Sequence, residues 1–366
     1  MDTRVDLRNL TFEELQTWVS NLGLEPFRAE QISRWIFQPG MTAFNQMTNV
    51  SKKWRDSFEN QAVLSSLRLL QKERSSDGAQ KFLFKLDDDL TVESVLIPER
   101  SHYTLCLSSQ VGCAQKCRFC LTGRIGLKRN LKASEIINQV LGVHETLRES
   151  QIPLTNLVLM GMGEPLDNFE QTGRALSILL SPKGMQFSHR HVTVSTSGLI
   201  PEMAALGRFL PVNLAVSLNA ATDKVRNYLM PVNRRYPLAS LLQACREFPL
   251  PHGKRITFEY ILIKGINDSP EEAGTLAKIL RGIKAKINLI PFNPHPGSRF
   301  KAPEEKTLSE FQDILISHQY TAIIRRSKGA DISAACGQLH AQWTGAGARS
   351  SGFEEKGIRN NEVEST

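Results

Sequence analysis

From about residue 81 the sequence alternates, unit after unit, between short runs of apolar and β-branched residues and longer stretches with helical periodicity. TLCLSS (104–109), NLVLMG (156–161), HVTVST (191–196), VNLAVSL (212–218), RITFEYILI (255–263) and INLIPF (287–292) read as strands. The helical patterns that follow them are SEIINQVLGVHETL, FEQTGRALSILL, PEMAALGRF, PLASLLQACREF, SPEEAGTLAKILRGI and LSEFQDILISHQ in turn. A helix between two strands makes a crossover that leaves the strands parallel, with helices over the sheet. Six such units and a closing strand, TAIIRRS, predict an α/β architecture, either barrel-like or doubly wound. Ahead of the series, KFLFKL and TVESVLIP predict a hairpin.

Residues 1–80 follow a different pattern. Thr11 is a plausible N-cap for FEELQTWVSNLGL, FRAEQISRWIF stops before Pro39 and Gly40, and SKKWRDSFEN begins at Ser51. Three short helices carrying Trp18, Trp35 and Trp54 predict a small helical accessory domain with the tryptophans in its core. The expected division is therefore 1–80 for this domain, 81–340 for the strand-helix series, and 341–366 for a Gly-, Ser- and charge-rich disordered tail. An apolar share of 41% and a charged share of 22% suit a globular chain. No apolar run approaches the ~18 residues of a membrane helix. MDTRVDLRNL lacks the layout of a signal peptide, so a cytoplasmic protein without membrane contact is expected.

The net charge of +8 is concentrated. No acid occurs between Glu99 and Glu135, while Arg100, Lys116, Arg118, Arg124, Lys128, Arg129 and Lys132 all fall in that window. Such a field attracts polyanions, nucleic acid first, although a solvated basic face has the same composition. Four of six cysteines crowd the same region, which without an export signal points to metal or redox chemistry.

The strongest motif is CAQKCRFC (113–120), which follows the first strand of the series. A cubane iron-sulfur cluster is normally held by four thiolates, so Cys113, Cys117 and Cys120 would leave one iron open to a ligand. The same thiols could close a structural zinc site if His102 or His144 supplied a fourth ligand, or line one face of a buried helix. Gly112 before the motif and Thr122-Gly123 after it favour a loop.

The cysteine spacing, with an aromatic residue before the last cysteine, resembles the radical S-adenosylmethionine (SAM) superfamily. LCLSSQVG (105–112), GLKRNL (126–131), GMGEPLDN (161–168), VSTSG (194–198), MPVNRRYPL (230–238), FEYILIKGINDS (258–269), LIPFNP (289–294) and GADISAACGQL (329–339) then occur in order. That set resembles the RlmN-type adenine-C2 RNA methyltransferases, with the Cfr-type C8 methyltransferases as close relatives. The resemblance implies a partial (β/α)6 radical SAM barrel behind a helical accessory domain that binds RNA. It also implies one 4Fe-4S cluster, two SAM molecules per turnover and an external electron donor. The implied substrates are 23S rRNA and, by the same analogy, tRNA, and a monomer is expected.

On the same resemblance, SAM chelates the free iron and is cleaved to a 5′-deoxyadenosyl radical. Gly163 would let the backbone approach it, and Glu164 would pair with its amino group. Ser195, Ser217, Leu218, Asn219 and Asn293 are further cofactor-binding candidates. Asn219 stands where the family more often has histidine. From the strand pattern alone, Ser195, Ser217, Asn219 and Asn293 fall at strand ends on one rim, where parallel barrels carry their active sites. The family implies that Cys336 carries the transferred carbon, that Cys106 resolves the protein-RNA adduct by forming a disulfide, and that Glu93 removes the adenine proton. Pro165, where Cfr-type proteins tend to have alanine, favours C2. Cys245, within a helical pattern, reads as a buried inert thiol.

Overall fold

The computed structural model describes residues 3–148, 150, 152–251 and 253–341. Apart from Ala341, the expected disordered tail lies outside the described residues.

Each apolar run becomes a strand of one large sheet, which an unexpected strand, β3 Arg68–Arg74, extends at its edge: β4 Gln80–Lys85, β5 Thr91–Pro98, β6 Tyr103–Cys106, β9 Leu154–Leu159, β10 Val192–Thr196, β11 Asn213–Ser217, β12 Ile256–Leu262, β13 Ala285–Pro291 and β14 Thr321–Ile324. The labels β1 and β2 belong to Val5–Asp6 and Ala62–Val63, which pair in parallel in the N-terminal domain. Gln110–Val111 (β7) and Arg129–Asn130 (β8) pair as a short antiparallel ribbon flanking the cysteine motif.

The ten strands lie in the order β14-β13-β12-β11-β10-β9-β6-β5-β4-β3. From β6 to β14 all neighbours are parallel, and β3 to β6 are antiparallel. The order never reverses, so each crossover steps the same way. That is the winding of a barrel and excludes the doubly wound alternative, which needs a reversal. The crossovers contain α5 Ala133–Arg148, α6 Phe169–Leu180, α7 Ile200–Phe209, α9 Leu238–Glu247, α10 Pro270–Ile279 and α11 Glu305–Ser317. Two short helices escaped the sequence reading: α4 Leu121–Ile125 after the cysteine motif and α8 Asp223–Leu229 between β11 and α9. Among the described residues, no helix is long and apolar enough to cross a membrane.

The sheet also begins earlier than expected. β3 lies inside the segment assigned to the helical domain, yet it pairs with β4 along its length. Its sequence, RLLQKER, is charged and largely exposed, as edge strands often are, and it lacks the apolar signal of the central strands. Two separate hydrophobic cores divide the chain between Leu64, packed on the N-terminal core, and Leu67, packed on that of the sheet.

The N-terminal domain consists of α1 Phe12–Asn21, α2 Phe27–Ile36 and α3 Lys52–Gln61. Thr11 caps α1 as expected: the Glu14 amide donates to its hydroxyl and its own amide donates to the Glu14 carboxylate. Phe58 is fully buried among Leu7, Leu15, Ile32, Ile36 and Met47. Trp18 and Trp54 rim this core, with ring centroids 5.4 and 6.4 Å from that of Phe58. Phe58→Ala should therefore destabilise this domain by about 3–5 kcal/mol, the usual cost of emptying a packed phenylalanine site. Urea unfolding followed by tryptophan fluorescence measures it. A loss below about 1 kcal/mol would mean that the site collapses around the gap.

Candidate active site

The cysteine motif is a loop, not a helix, running from β7 to α4. Gly112 permits its first turn: at φ +78° the backbone is left-handed, and a Cβ there would lie 1.8 Å from the Gly126 carbonyl oxygen. The Arg118 amide donates to the Leu229 carbonyl at 2.9 Å, and the Leu121 amide donates to the Gly337 carbonyl at 2.7 Å. The loop is thus fastened both to the end of α8 and to the segment after β14.

Burial pushes the Cys113 thiol up to about 12 and raises those of Cys117 and Cys120 as well. The neighbouring thiols of the motif, and Glu164 beside Cys113 and Cys117, add to the shift. Three cysteines brought together in one loop, with thiols that burial keeps protonated unless a cation is bound, suit the ligands of an iron-sulfur cluster. Zinc needs ligands converging on one ion, and among the described residues no three His, Cys, Asp or Glu side chains do so. The two histidines considered for it are placed elsewhere: His102 pairs with Asn156, and His144 lines a cavity beside α2 with Arg34 and Phe37.

Beside the loop opens a cavity of about 480 Å³. Cys106, Cys120, Cys336, Ser195, Ser217 and Asn219 all line it, against walls that include Val95, Met160, Ile261 and Ile290. Strand alternation aims the serines: Ser195 and Ser217 are half-buried, whereas Val194, Thr196 and Val216 are fully buried. Cys106 ends β6, and Cys336 follows the last strand. Both are free thiols. Burial pushes Cys106 up to about 12, with Cys336 contributing in the same direction. Cys336 is exposed at the surface of its loop; the protein packed around its sulfur nevertheless raises it, while Arg325 opposes the shift.

Gly163, Glu164, Leu218 and Asn293 do not line this cavity. Gly163, at φ +100°, permits a close approach to Gln110: an added Cβ would lie 2.6 Å from the Gln110 Cβ. Glu164 is buried, its Oε2 accepting from the Ser197 amide at 2.7 Å and its Oε1 from the Leu166 amide at 3.3 Å. Its carboxyl is raised because burial outweighs those bonds. Leu218 is fully buried. Asn293 Nδ2 donates to the Cys336 carbonyl at 3.0 Å and to Ser327 Oγ at 2.9 Å, so its amide holds the cysteine's loop in place. Asn219 lines the cavity in a left-handed conformation, φ +58°, which asparagine tolerates, while its Oδ1 accepts from the Ile261 amide at 2.8 Å.

Glu93 lies in a neighbouring cavity with Lys81, Glu73 and His340. Its Oε2 accepts from the His340 and Ala341 amides at 2.9 and 3.0 Å, and Lys81 Nζ is 3.5 Å from Oε1. Here it anchors the end of the described chain. Cys245 is buried on α9, as expected.

The sequence reading missed two residues in and around the site. Arg226 of α8 is fully buried, donating to the Ser197, Ser217 and Leu218 carbonyls and to Asn233 Oδ1. It ties together the ends of β10 and β11, which carry Ser195 and Ser217. An arginine in a short polar helix looks solvated until those carbonyls surround it. Glu259 of β12 also lines the cavity. A lone acid in an apolar barrel strand was the available sign. The basic window is partly neutralised from outside itself: Arg129 pairs with Glu135 at 2.8 Å and with Asp88 at 2.5 Å. Lys116, Arg118, Arg124, Lys128 and Lys132 are exposed.

Residues 5–64 match the family model described as the ribosomal RNA large subunit methyltransferase N-terminal domain, and residues 107–277 match that of the radical SAM superfamily. The chain is 51% identical over 339 residues to the dual-specificity RNA methyltransferase RlmN of Geobacter sulfurreducens, covering 93% of each chain. It is 52% identical over 336 residues to the protein of the same name from Geotalea uraniireducens, covering 92% of this chain and 96% of that one. A crystal structure of a radical SAM methyltransferase from Sphaerobacter thermophilus superposes with a TM-score of 0.88 at 42% identity, covering 92% of this chain and all of that one.

Proposed function

The chain belongs to the RlmN family of radical SAM RNA methyltransferases, and on that premise we propose that it methylates C2 of an adenosine in 23S rRNA and in tRNA. We take it to act as a cytoplasmic monomer served by an external electron donor. One observation carries the reading: Cys106 and Cys336 line one cavity together with Cys120 of the cluster motif. A carbon without nucleophilic character cannot take a methyl group by ordinary transfer. It needs a carrier sulfur beside a radical source and a second sulfur to free the product.

In this proposal Cys113, Cys117 and Cys120 would hold the cluster, Ser195, Ser217 and Asn219 would contact SAM in the cavity, and Gly163, Glu164, Leu218 and Asn293, which do not line it, would complete the SAM site from behind its wall. When bound, the cluster and two SAM molecules per turnover supply a methyl group and then a 5′-deoxyadenosyl radical. Cys336 holds the methyl carbon; after loss of a hydrogen atom that carbon bonds to adenine C2, and the adduct gives up its unpaired electron to the external redox partner, which later also reduces the disulfide. Glu93, released from the His340 and Ala341 amides, takes the C2 proton. The Cys106 thiolate then attacks the Cys336 sulfur. A disulfide forms, the carbon-sulfur bond breaks, and the released carbon takes up a proton to become methyl.

Mass spectrometry of RNA from cells with and without this chain tests the reading. The expected result is 2-methyladenosine that disappears with the chain. Loss of 8-methyladenosine instead would assign the C8 chemistry, and no change in either would overturn the proposal.

Exposed Lys116, Arg118, Arg124, Lys128 and Lys132 supply phosphate contacts in the same reading. RNA affinity should then fall steeply with salt. Lys128→Ala should make the log-log slope shallower by roughly 0.7–0.9, the counterion share of one contact. Arg129→Ala should leave the slope unchanged, since its charge is already matched by carboxylates. A slope that responds to Arg129 and not to Lys128 would move the interface.

A further inference from the structure

One polar row crosses the interior of the barrel. Ser217 of β11 is in register with Glu259 of β12, which is in register with Asn288 of β13. Glu259 is 7% exposed. Its Oε1 accepts from Asn288 Nδ2 at 2.9 Å, but its Oε2 is buried with no hydrogen-bond partner among the described residues. The side chain lines the central cavity alongside Ile261 and Ile290. A buried carboxylate fixed by one oxygen, with the other bare in a nucleoside-sized space, is an acceptor awaiting a donor. Burial raises the Glu259 carboxyl, and Arg325 on the same cavity wall opposes that shift. A phosphate would be repelled there. A neutral group carrying hydroxyl or amino donors, with a ring to lie against the aliphatic walls, fits both charge and lining.

We infer that Glu259 is a further ligand-binding residue of this cavity, its free Oε2 accepting a hydrogen bond from a hydroxyl or amino donor of an adenosyl group. This rests on the reading that the cavity takes SAM beside a target adenosine, and both carry such a group. The ribose diol and the exocyclic amine are the donors in question, and carboxylates bind ribose hydroxyls in other folds.

The test uses anaerobically reconstituted holoenzyme, wild type and Glu259→Gln, with iron content measured in parallel. The glutamine keeps the shape and the Asn288 pairing while turning the free acceptor into a donor. S-adenosylhomocysteine is titrated by calorimetry, together with its 2′-deoxy counterpart, and an RNA hairpin bearing the target adenosine is titrated separately. The expected result is about tenfold weaker S-adenosylhomocysteine binding by the variant, the effect of losing one charge-assisted hydrogen bond. RNA affinity should stay unchanged. An advantage of the ribosyl ligand over its 2′-deoxy counterpart in wild type, lost in the variant, assigns the contact to the diol. Weakened RNA binding with unchanged S-adenosylhomocysteine binding would assign it to the target adenosine. Unchanged affinity for both overturns the inference. If Glu259→Gln loses iron, Glu259→Asp, which keeps the charge and shortens the reach, enters the same titrations with the same outcomes deciding. Failure of wild type itself to bind S-adenosylhomocysteine would instead defeat the underlying reading of the cavity.

Discussion

Cys106→Ala protein is expected to migrate on denaturing gels as a covalent complex with RNA, and the Cys106→Ala/Cys336→Ala double variant is expected to show none. The difference follows from the order of the chemical steps. Cys336 would carry the bridging carbon, so without it no bridge forms. Cys106 would break the bridge, so without it the bridge persists. Cys336→Ala alone should assemble its cluster and cleave SAM while yielding no 2-methyladenosine, a complete loss of product with the radical machinery intact. Both thiols line one cavity, so neither substitution needs to disturb the barrel to act. Cys336 sits on a loop outside the sheet, and an alanine at Cys106 removes only one sulfur from the wall. Normal turnover by Cys106→Ala, with no trapped species, would sink the two-cysteine mechanism and leave a radical enzyme of another kind.

The second large effect concerns the motif loop. Cys113→Ala, Cys117→Ala and Cys120→Ala should each reduce iron and sulfide to background and abolish 5′-deoxyadenosine formation, because in the proposed site each thiolate would hold an iron directly. Cys245→Ala supplies the comparison: that thiol is more deeply buried than those of the loop, yet it lies on α9, outside the motif, and should leave the iron content unchanged. Full 5′-deoxyadenosine yield from any of the three loop variants would remove that residue from the ligand set. Equal iron loss in Cys245→Ala would mean that the assay reports on folding.

The features legible in the sequence were those encoded locally. The apolar run TFEYIL in β12 announces a central strand because both its faces are covered, and CAQKCRFC announces its chemistry because the ligand spacing lies within eight residues. β3 escaped because its environment, a sheet edge, selects charge over apolarity. The hydrogen-bonding roles of single polar residues were harder still. The bonds of Asn293 to Cys336 and of Glu164 to Ser197 depend on loops that only the fold brings near. Glu93 pairs with amides 247 and 248 positions away. Arg226 reads as solvent-facing in any window of its neighbours, and only the ends of β10 and β11 explain its burial.

The segment after β14 draws together the parts of the chain that are farthest apart in sequence. Asp331 accepts from Ser75 and Ser76 in the turn between β3 and β4, across 256 and 255 positions, and Lys81 of β4 donates to the Ile332 carbonyl across 251. These contacts join the two open edges of the sheet, and Cys336 lies a few residues beyond them. Contacts of such separation close late, since a long loop must be ordered before they repay it. During synthesis the N-terminal helices and most of the barrel can therefore fold while the reactive sulfur is still absent. On the proposed mechanism the enzyme would acquire its carrier atom as nearly the last event of folding, and a chain that stops short of residue 336 would have a nearly complete barrel with nothing to transfer.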